Sequence, residues 1–145
     1  MASDVSLRFR TDPPSAFDIV ACFYPSRSDQ LDKLRPALVL NQYRDKKSDN
    51  FFCEVAYGTS ALKLQKRKYI DLIIQKSADL DIIGLPRATR FDLDNTQILP
   101  WSYELFGCWS GYPSPLIGSL TDIYIKEYAY CMMYRQKLHS EHNPS

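Results

Sequence analysis

The sequence predicts a mainly β protein with one long C-terminal helix, an α+β class. Short apolar runs rich in β-branched and aromatic residues recur through the first hundred residues and end at prolines, glycines or charged turns. Towards the C-terminus the apolar residues instead follow three- and four-residue steps, which is the period of a helix. Short strands with frequent turns indicate a small curved sheet or barrel, and a length of 145 residues fits one domain.

The predicted strands are Ile19–Tyr24, Pro36–Leu40, Phe51–Tyr57, Tyr69–Ile74, Ala88–Leu93 and Gln97–Leu99. Asp94-Asn95 supplies turn chemistry between the last two strands. Ser77–Ile83 is ambiguous and fits a helical turn. Pro100–Trp109 is expected to be irregular or a short helix, and Gly111–Gly118 a connector, because its prolines and glycines interrupt regular structure.

One long helix is predicted from Ser119 to about Leu138. Ser119 is a favourable N-cap, and Asp122 adds an acidic partner in the first turn. The largely apolar face of this helix consists of Leu120, Tyr124, Tyr128, Cys131, Arg135 and Leu138. We expect this face to pack on the sheet. Residues 1–15 are predicted to form a flexible leader, residues 16–139 the single domain and residues 140–145 a frayed tail.

Charge and hydropathy exclude some functional classes. A net charge of +1 does not by itself indicate a nucleic-acid-binding protein, so such a function needs a local basic patch. No segment approaches the ~18 apolar residues of a membrane span, and the polar N-terminus lacks the apolar core of a secretory signal. We therefore expect a cytoplasmic protein with no membrane partner.

The cysteines and histidines do not predict a metal site. The four cysteines form no C-x-x-C pair and are expected to be free, buried thiols: Cys22, Cys53, Cys108 and Cys131. The two histidines, His139 and His142, lie in the tail, so a zinc site is not predicted.

Three segments beside predicted strands carry candidate functional residues. Arg35 precedes a buried strand, and its planar fork of donors suits a phosphate. Gly58-Thr59-Ser60 follows a strand and offers two hydroxyls after a residue that permits close approach. The basic stretch Lys63–Lys68 could track a phosphate backbone. Taken singly, each segment is more often a surface arginine, a plain turn or a solvated loop.

The order and spacing of these segments resemble the PemK/MazF-like toxin family. That family opens with Asp-Ile/Val-Val, a strand that ends near Phe-Pro, an Arg-Pro-Ala strand, and a Thr-Ser pair after a further strand. The matching residues here are Asp18-Ile19-Val20, Phe23-Tyr24-Pro25, Arg35 to Leu40, and Gly58-Thr59-Ser60. Phe17 stands where the family usually has a glycine.

The second half of the chain is similar to a PemK-like subgroup. There a Gly-Leu leads to a strand, a Leu-Pro-Trp follows, and a helix ends the chain. The matching blocks are Gly84-Leu85-Pro86, Thr89 to Leu93, Leu99-Pro100-Trp101 and Ile117 to Leu120. The resemblance covers roughly Phe17 to Leu138, which is nearly the whole fold.

The resemblance implies an SH3-like β-barrel of the MazF/CcdB toxin type with a C-terminal helix. It implies a homodimer whose sites lie in a groove spanning both subunits, and a cognate antitoxin protein as partner. The implied activity is that of a type II toxin–antitoxin toxin, a sequence-specific endoribonuclease that cleaves single-stranded RNA without a metal or other cofactor.

The resemblance also assigns residues to this reaction. By position, Arg35 and Thr59 match the family's catalytic arginine and hydroxyl residue. Attack by the 2′-hydroxyl needs a base, an acid and a cation facing the phosphate oxygens. The family often has an acidic residue in the loop before the arginine, and here that loop holds Asp29 and Asp32, of which Asp29 is our choice of base. The expected substrate-binding residues are Ser60, Lys63, Lys66, Arg67 and Lys68.

Two alternatives remain open at this point. The same barrel serves related gyrase-poisoning toxins that bind a protein and cleave no RNA, so a non-catalytic inhibitor is one alternative. A nucleic-acid-binding SH3-like module without turnover is the other, and the near-neutral net charge counts against it.

Overall fold

A computed structural model describes residues 12–23, 33–60 and 70–142 of the chain. The α+β class predicted from the sequence is confirmed. The elements in these ranges are β1 (Asp18–Cys22), β2 (Arg35–Arg44), β3 (Phe51–Thr59), β4 (Leu72–Ile74), α1 (Ser77–Ile83), β5 (Thr89–Pro100), β6 (Leu116–Ser119) and α2 (Asp122–His142). No helix in the described part of the chain is both long and apolar enough to cross a lipid bilayer.

The strands form one curled, antiparallel sheet, a half-barrel in the order β4-β5-β3-β2-β1-β6. Because side chains alternate across a strand, each central strand supplies both faces of this sheet. In β2, Leu38 and Leu40 belong to one apolar cluster, while Ala37 and Val39 belong to a second. The sheet therefore has a buried core on each face, which explains why its central strands are nearly continuous apolar runs.

The long helix covers one face of the sheet, as its apolar periodicity predicts. Tyr124 and Cys131 of this helix are buried in the same cluster as Phe91 of β5, and Tyr128 packs against that cluster. Leu120, which lies just before the helix, is buried in the same cluster. The helix begins at Asp122 rather than at the predicted Ser119. The hydroxyl of Ser119 instead donates to Asp18 of β1 at 2.7 Å, because Ser119 is the last residue of β6. The helix also continues to His142, past the predicted end at Leu138.

The opposite face is covered by the segment that follows β5. Trp101 and Phe106 are buried there, with ring centroids 4.7 Å apart. Phe106 forms an isolated antiparallel bridge with Cys22. This segment is irregular, as the sequence predicts, and it closes the second core of the sheet.

The prediction of two separate strands after Ala88 was wrong, because Thr89–Pro100 is one strand with a bulge. Gly58 of β3 is opposite Phe91, while Ala56 is opposite Thr96, so four residues of β5 bulge between these two pairs. Within the bulge the Asp92 carboxylate accepts hydrogen bonds from the backbone of Asp94 and the side chain of Asn95. The turn-forming residues therefore bend the strand without reversing it.

The predicted connector Gly111–Gly118 also contains a strand that the sequence did not reveal. Leu116–Ser119 pairs with β1 at the edge of the sheet as β6. Gly118 makes this possible, because a Cβ there would lie 1.7 Å from the Ile83 carbonyl oxygen at the end of α1. The glycine that suggested a loop is required for close packing of a strand on a helix.

Candidate functional site

The start of β2 and the end of β3 lie side by side at one end of the sheet. Ala37 of β2 is paired with Tyr57 of β3 in antiparallel register, Arg35 is the first residue of β2 and Thr59 is the last residue of β3. The two residues to which the resemblance assigns catalytic roles therefore lie at the same end of the sheet, although they are 24 residues apart in sequence (59 − 35), and they line the same pocket.

Gly58 allows this close approach of β2 and β3. A Cβ at Gly58 would lie 2.9 Å from the Pro36 carbonyl oxygen and 2.7 Å from the Thr89 methyl group. The strand continues through Gly58 to Thr59, whereas the sequence predicted that it stops at Tyr57. Gly58 thus serves close packing between strands, and Thr59 projects from a strand rather than from a loop.

Arg35, Thr59 and Ser60 line one pocket of about 690 Å³. Arg35 and Thr59 are half-buried, while Ser60 is exposed at the mouth. Two further cations, Lys33 and Arg87, line the same pocket. Among the described residues that line it there is no carboxylate and no histidine. On a chain whose net charge is +1, this is a concentrated positive site.

The far wall of the pocket comes from two loops that are distant in sequence. Arg87 follows Pro86 in the segment between α1 and β5, and the Arg87 carbonyl accepts a hydrogen bond from the Thr89 hydroxyl at 2.8 Å. Trp109 comes from the segment after β5, and its indole N–H donates to the Leu34 carbonyl at 3.4 Å. The loop with Trp109 is thereby tied to the residue before Arg35, and the loop with Arg87 is tied to the first residue of β5.

The remaining predicted site residues lie outside the described residues. These are the proposed base Asp29 and the basic residues Lys63, Lys66, Arg67 and Lys68. Ser60, which directly precedes the basic stretch, does line the pocket.

Several lining residues of this pocket were not predicted from the sequence, including two cations and two aromatic residues. Lys33, Arg87, Phe23 and Trp109 all line it, and none was singled out as a site residue. Phe23 belongs to a segment that carries the resemblance and Lys33 lies two residues before Arg35, so proximity to those motifs was an available signal. No local pattern points to Arg87 or Trp109, because only the folded sheet brings their loops beside Arg35.

The cysteines divide into three buried thiols and one exposed thiol. Cys22, Cys53 and Cys131 are buried, as predicted, whereas Cys108 is exposed and lines the pocket. Burial raises the pKa of both Cys22 and Cys53 to about 12, so these thiols stay protonated at neutral pH. The prediction of burial was wrong for Cys108 because its loop is at the mouth of the pocket rather than in a core.

The pocket is suited to hold a phosphate group. Arginine offers a planar fork of donors, and the neighbouring hydroxyls of Thr59 and Ser60 can donate to further oxygens. Three cations in a partly enclosed space also favour charge that develops on phosphate oxygens. Among the described lining residues there is no carboxylate or histidine to act as a general base.

A second pocket, of about 560 Å³, has the opposite charge character. It lies between β4 and the two helices, and its lining includes three carboxylates, Asp71, Asp79 and Glu127, against one cation, Lys76. Such a surface repels a polyanion. The first pocket is therefore the candidate site for a phosphate-bearing ligand.

A cluster of three carboxylates near β5 is part of an ion-pair network. Oxygen atoms of Asp71, Asp92 and Asp94 lie within 4.8 Å of one another. Asp71 is fully buried and accepts a 2.6 Å hydrogen bond from Arg90, while Asp94 is paired with Arg135 of α2. Two guanidinium groups already offset two of the three charges, and the network fastens the helix to the bulge of β5.

A scan of the chain against models of known protein families and a search of curated proteins each returned no match.

Proposed function

We propose that the protein is an endoribonuclease toxin that cleaves single-stranded RNA in the pocket lined by Arg35 and Thr59. The observation that supports this most is the juxtaposition of Arg35, Thr59 and Ser60 with two further cations in one pocket without a described carboxylate. This chemistry favours a polyanion with exposed phosphates. The order of motifs along the chain, which resembles the PemK/MazF-like family, supports the same function.

The proposed reaction is an intramolecular transesterification. The 2′-oxygen attacks the adjacent phosphorus, the bond from phosphorus to the 5′-oxygen breaks, and the products are a 2′,3′-cyclic phosphate and a 5′-hydroxyl. A base removes the 2′-proton, and an acid supplies a proton to the departing 5′-oxygen. Asp29 is our choice of base on sequence grounds. Arg35 stabilises the charge that develops on the phosphate oxygens, and Thr59 orients one of them.

The 2′-hydroxyl dependence of cleavage tests this chemistry. A single-stranded RNA that the protein cuts at a mapped site is resynthesised with one 2′-deoxyribose at the attacking position. We expect that substrate to resist cleavage, and the unmodified RNA to yield a 2′,3′-cyclic phosphate detectable by mass spectrometry. A matched control carries the 2′-deoxyribose two positions away and is expected to be cut. Equal cleavage of both modified substrates would rule out the transesterification.

The resemblance also implies a specific barrel type, a homodimer and an antitoxin partner, and we propose all three for this protein. The curled antiparallel sheet with a terminal helix supports an SH3-like barrel of the MazF/CcdB toxin type. We further propose that the active form is a homodimer and that a cognate antitoxin protein inhibits it. Sedimentation of the purified chain tests the dimer, and a monomer that still cleaves RNA would contradict it.

A non-catalytic toxin that binds a protein target is the second candidate. One observation favours it: the described lining of the pocket offers no carboxylate or histidine to act as a base. In that case the three cations would hold an acidic surface of the target. Growth inhibition by folded protein that leaves cellular RNA intact would favour this candidate over the ribonuclease.

A further inference from the structure

We propose that Trp109 is a stacking platform for one unpaired base of the bound nucleic acid. The inference rests on the proposed function and adds a base-binding subsite to the phosphate site around Arg35. Trp109 lines the same pocket as Arg35 and Thr59 and is half-buried. A tryptophan at the wall of a cationic pocket is the combination that proteins use to hold single strands, with charge on the phosphates and an aromatic face on a base.

The indole ring is held in place relative to Arg35. Its N–H donates to the carbonyl of Leu34, the residue before Arg35, at 3.4 Å. Tyr112 packs against Trp109 edge-on, with ring centroids 5.9 Å apart and an interplanar angle of 72°. The Tyr112 backbone N–H also donates to the Trp109 carbonyl at 2.9 Å, which closes a tight turn. An aromatic platform that is already fixed loses little entropy when a base stacks on it.

The loop that carries Trp109 is fastened to β1. Phe23 donates its backbone N–H to Leu105 at 2.8 Å, and Gly107 donates to Ala21 at 3.3 Å. A Cβ at Gly107 would meet the Leu34 side chain at 3.1 Å, so the loop lies closely against the residue that precedes Arg35. The distance between the phosphate site and the aromatic ring is therefore set by the sheet.

The chain's two tryptophans differ in a way that makes the proposal measurable. Trp101 is 4% exposed in the core under β3 and β5, whereas Trp109 faces the pocket. A base that stacks in the pocket quenches the fluorescence of Trp109 and leaves that of Trp101 unchanged. In Trp101→Phe the tryptophan fluorescence therefore comes from Trp109 in the pocket alone. In Trp109→Phe it comes from Trp101 in the core alone.

The experiment titrates the full-length protein with a mixed-sequence 2′-O-methyl RNA oligonucleotide, which cannot undergo 2′-attack. A fully abasic oligomer of equal length is the second probe. We expect the base-containing oligonucleotide to quench Trp101→Phe and not Trp109→Phe. By polarisation, Trp109→Ala is expected to bind that oligonucleotide roughly 5- to 150-fold more weakly, as loss of one stacked base implies. Trp109→Phe is expected to keep most of the affinity.

The abasic oligomer distinguishes stacking from a structural role. We expect wild type and Trp109→Ala to bind it equally, because the variant retains all the cations. Tyr103→Ala, which removes a 52% exposed aromatic residue outside the pocket lining, is expected to bind both probes as wild type does. Equal weakening of both probes by Trp109→Ala, or no weakening of either, would overturn the inference, as would a wild-type protein that binds neither probe.

Cleavage separates this inference from the proposed function. Cleavage of RNA by Trp109→Ala with an unchanged KM would support the proposed ribonuclease activity and contradict the base-binding subsite. Base-dependent quenching of Trp109 fluorescence without cleavage of unmodified RNA would support the subsite and contradict the ribonuclease activity.

Discussion

Phe17 adopts a backbone conformation that glycine normally supplies. Its φ is +74°, in the left-handed region that residues with a Cβ rarely adopt. The strained residue is held from both sides, since its N–H donates to Val39 at 2.7 Å and its carbonyl accepts from Leu120 at 2.9 Å. Its ring packs edge-on against Tyr128 of α2, with centroids 5.4 Å apart. The aromatic contact offsets the cost of the backbone conformation.

We expect Phe17→Gly to be more stable than Phe17→Ala. Both variants lose the ring contact with Tyr128, so the difference between their free energies of unfolding reflects only the backbone conformation at position 17. A left-handed conformation costs a residue with a Cβ about 1–2 kcal/mol, and the greater freedom of unfolded glycine returns about 0.4–1 kcal/mol of this. The free energy of unfolding in urea should therefore favour the glycine variant by roughly 0.5–1 kcal/mol. A more stable alanine variant would show that position 17 carries no such strain.

At the residue scale, the positions of Arg35 and Thr59 at the ends of strands were predictable because each belongs to a local pattern. The arginine precedes an apolar run and the hydroxyl pair follows another, so the sequence shows both the residue type and its place at the end of a predicted strand. Arg87 and Trp109 were not predictable in this way. Their positions in the pocket depend on long-range packing, and neither has neighbours in sequence that indicate a ligand.

At the scale of elements, strand edges were harder to predict than strand cores. The apolar runs of β1, β2 and β3 were located correctly because both faces of these strands are buried. The edge strand β6 was missed because its glycine serves contact with α1, and the bulge of β5 was taken for a turn because Asp92 and Asn95 bond locally. Gly118 and Asn95 were each interpreted as interruptions of regular structure. In the folded protein, however, both lie within strands.

Gly58 links strand packing to the site, and we expect Gly58→Ala to destabilise the protein by about 1–3 kcal/mol. The added methyl would meet the Pro36 carbonyl oxygen, which belongs to the backbone of β2 and cannot turn away. Gly107→Ala is the matched control, because there the nearest atoms are the methyl groups of the flexible Leu34 side chain. Thermal unfolding should place Gly58→Ala below Gly107→Ala. The reverse order would show that β2 shifts freely at Pro36.

At the scale of the whole molecule, the fold separates charge. One pocket is lined by Lys33, Arg35 and Arg87, while the lining of the pocket by the two helices includes three carboxylates and one lysine. This separation cannot be obtained from a net charge of +1. The sheet curls and brings strand ends and loops together, and the polarity of each pocket follows from which loops meet there.

The most direct test of the account is the cleavage of a long single-stranded RNA by purified protein in EDTA, with sequencing of all new ends. Arg35→Ala is compared with Arg44→Ala, which removes the same charge from the exposed far end of β2, where Arg44 is paired with Asp49. We predict discrete cuts by wild type and Arg44→Ala, and their loss by at least about 100-fold in folded Arg35→Ala. Intact RNA with folded wild-type protein, or cuts by Arg35→Ala at the wild-type rate, would contradict the assignment of this pocket as a ribonuclease site.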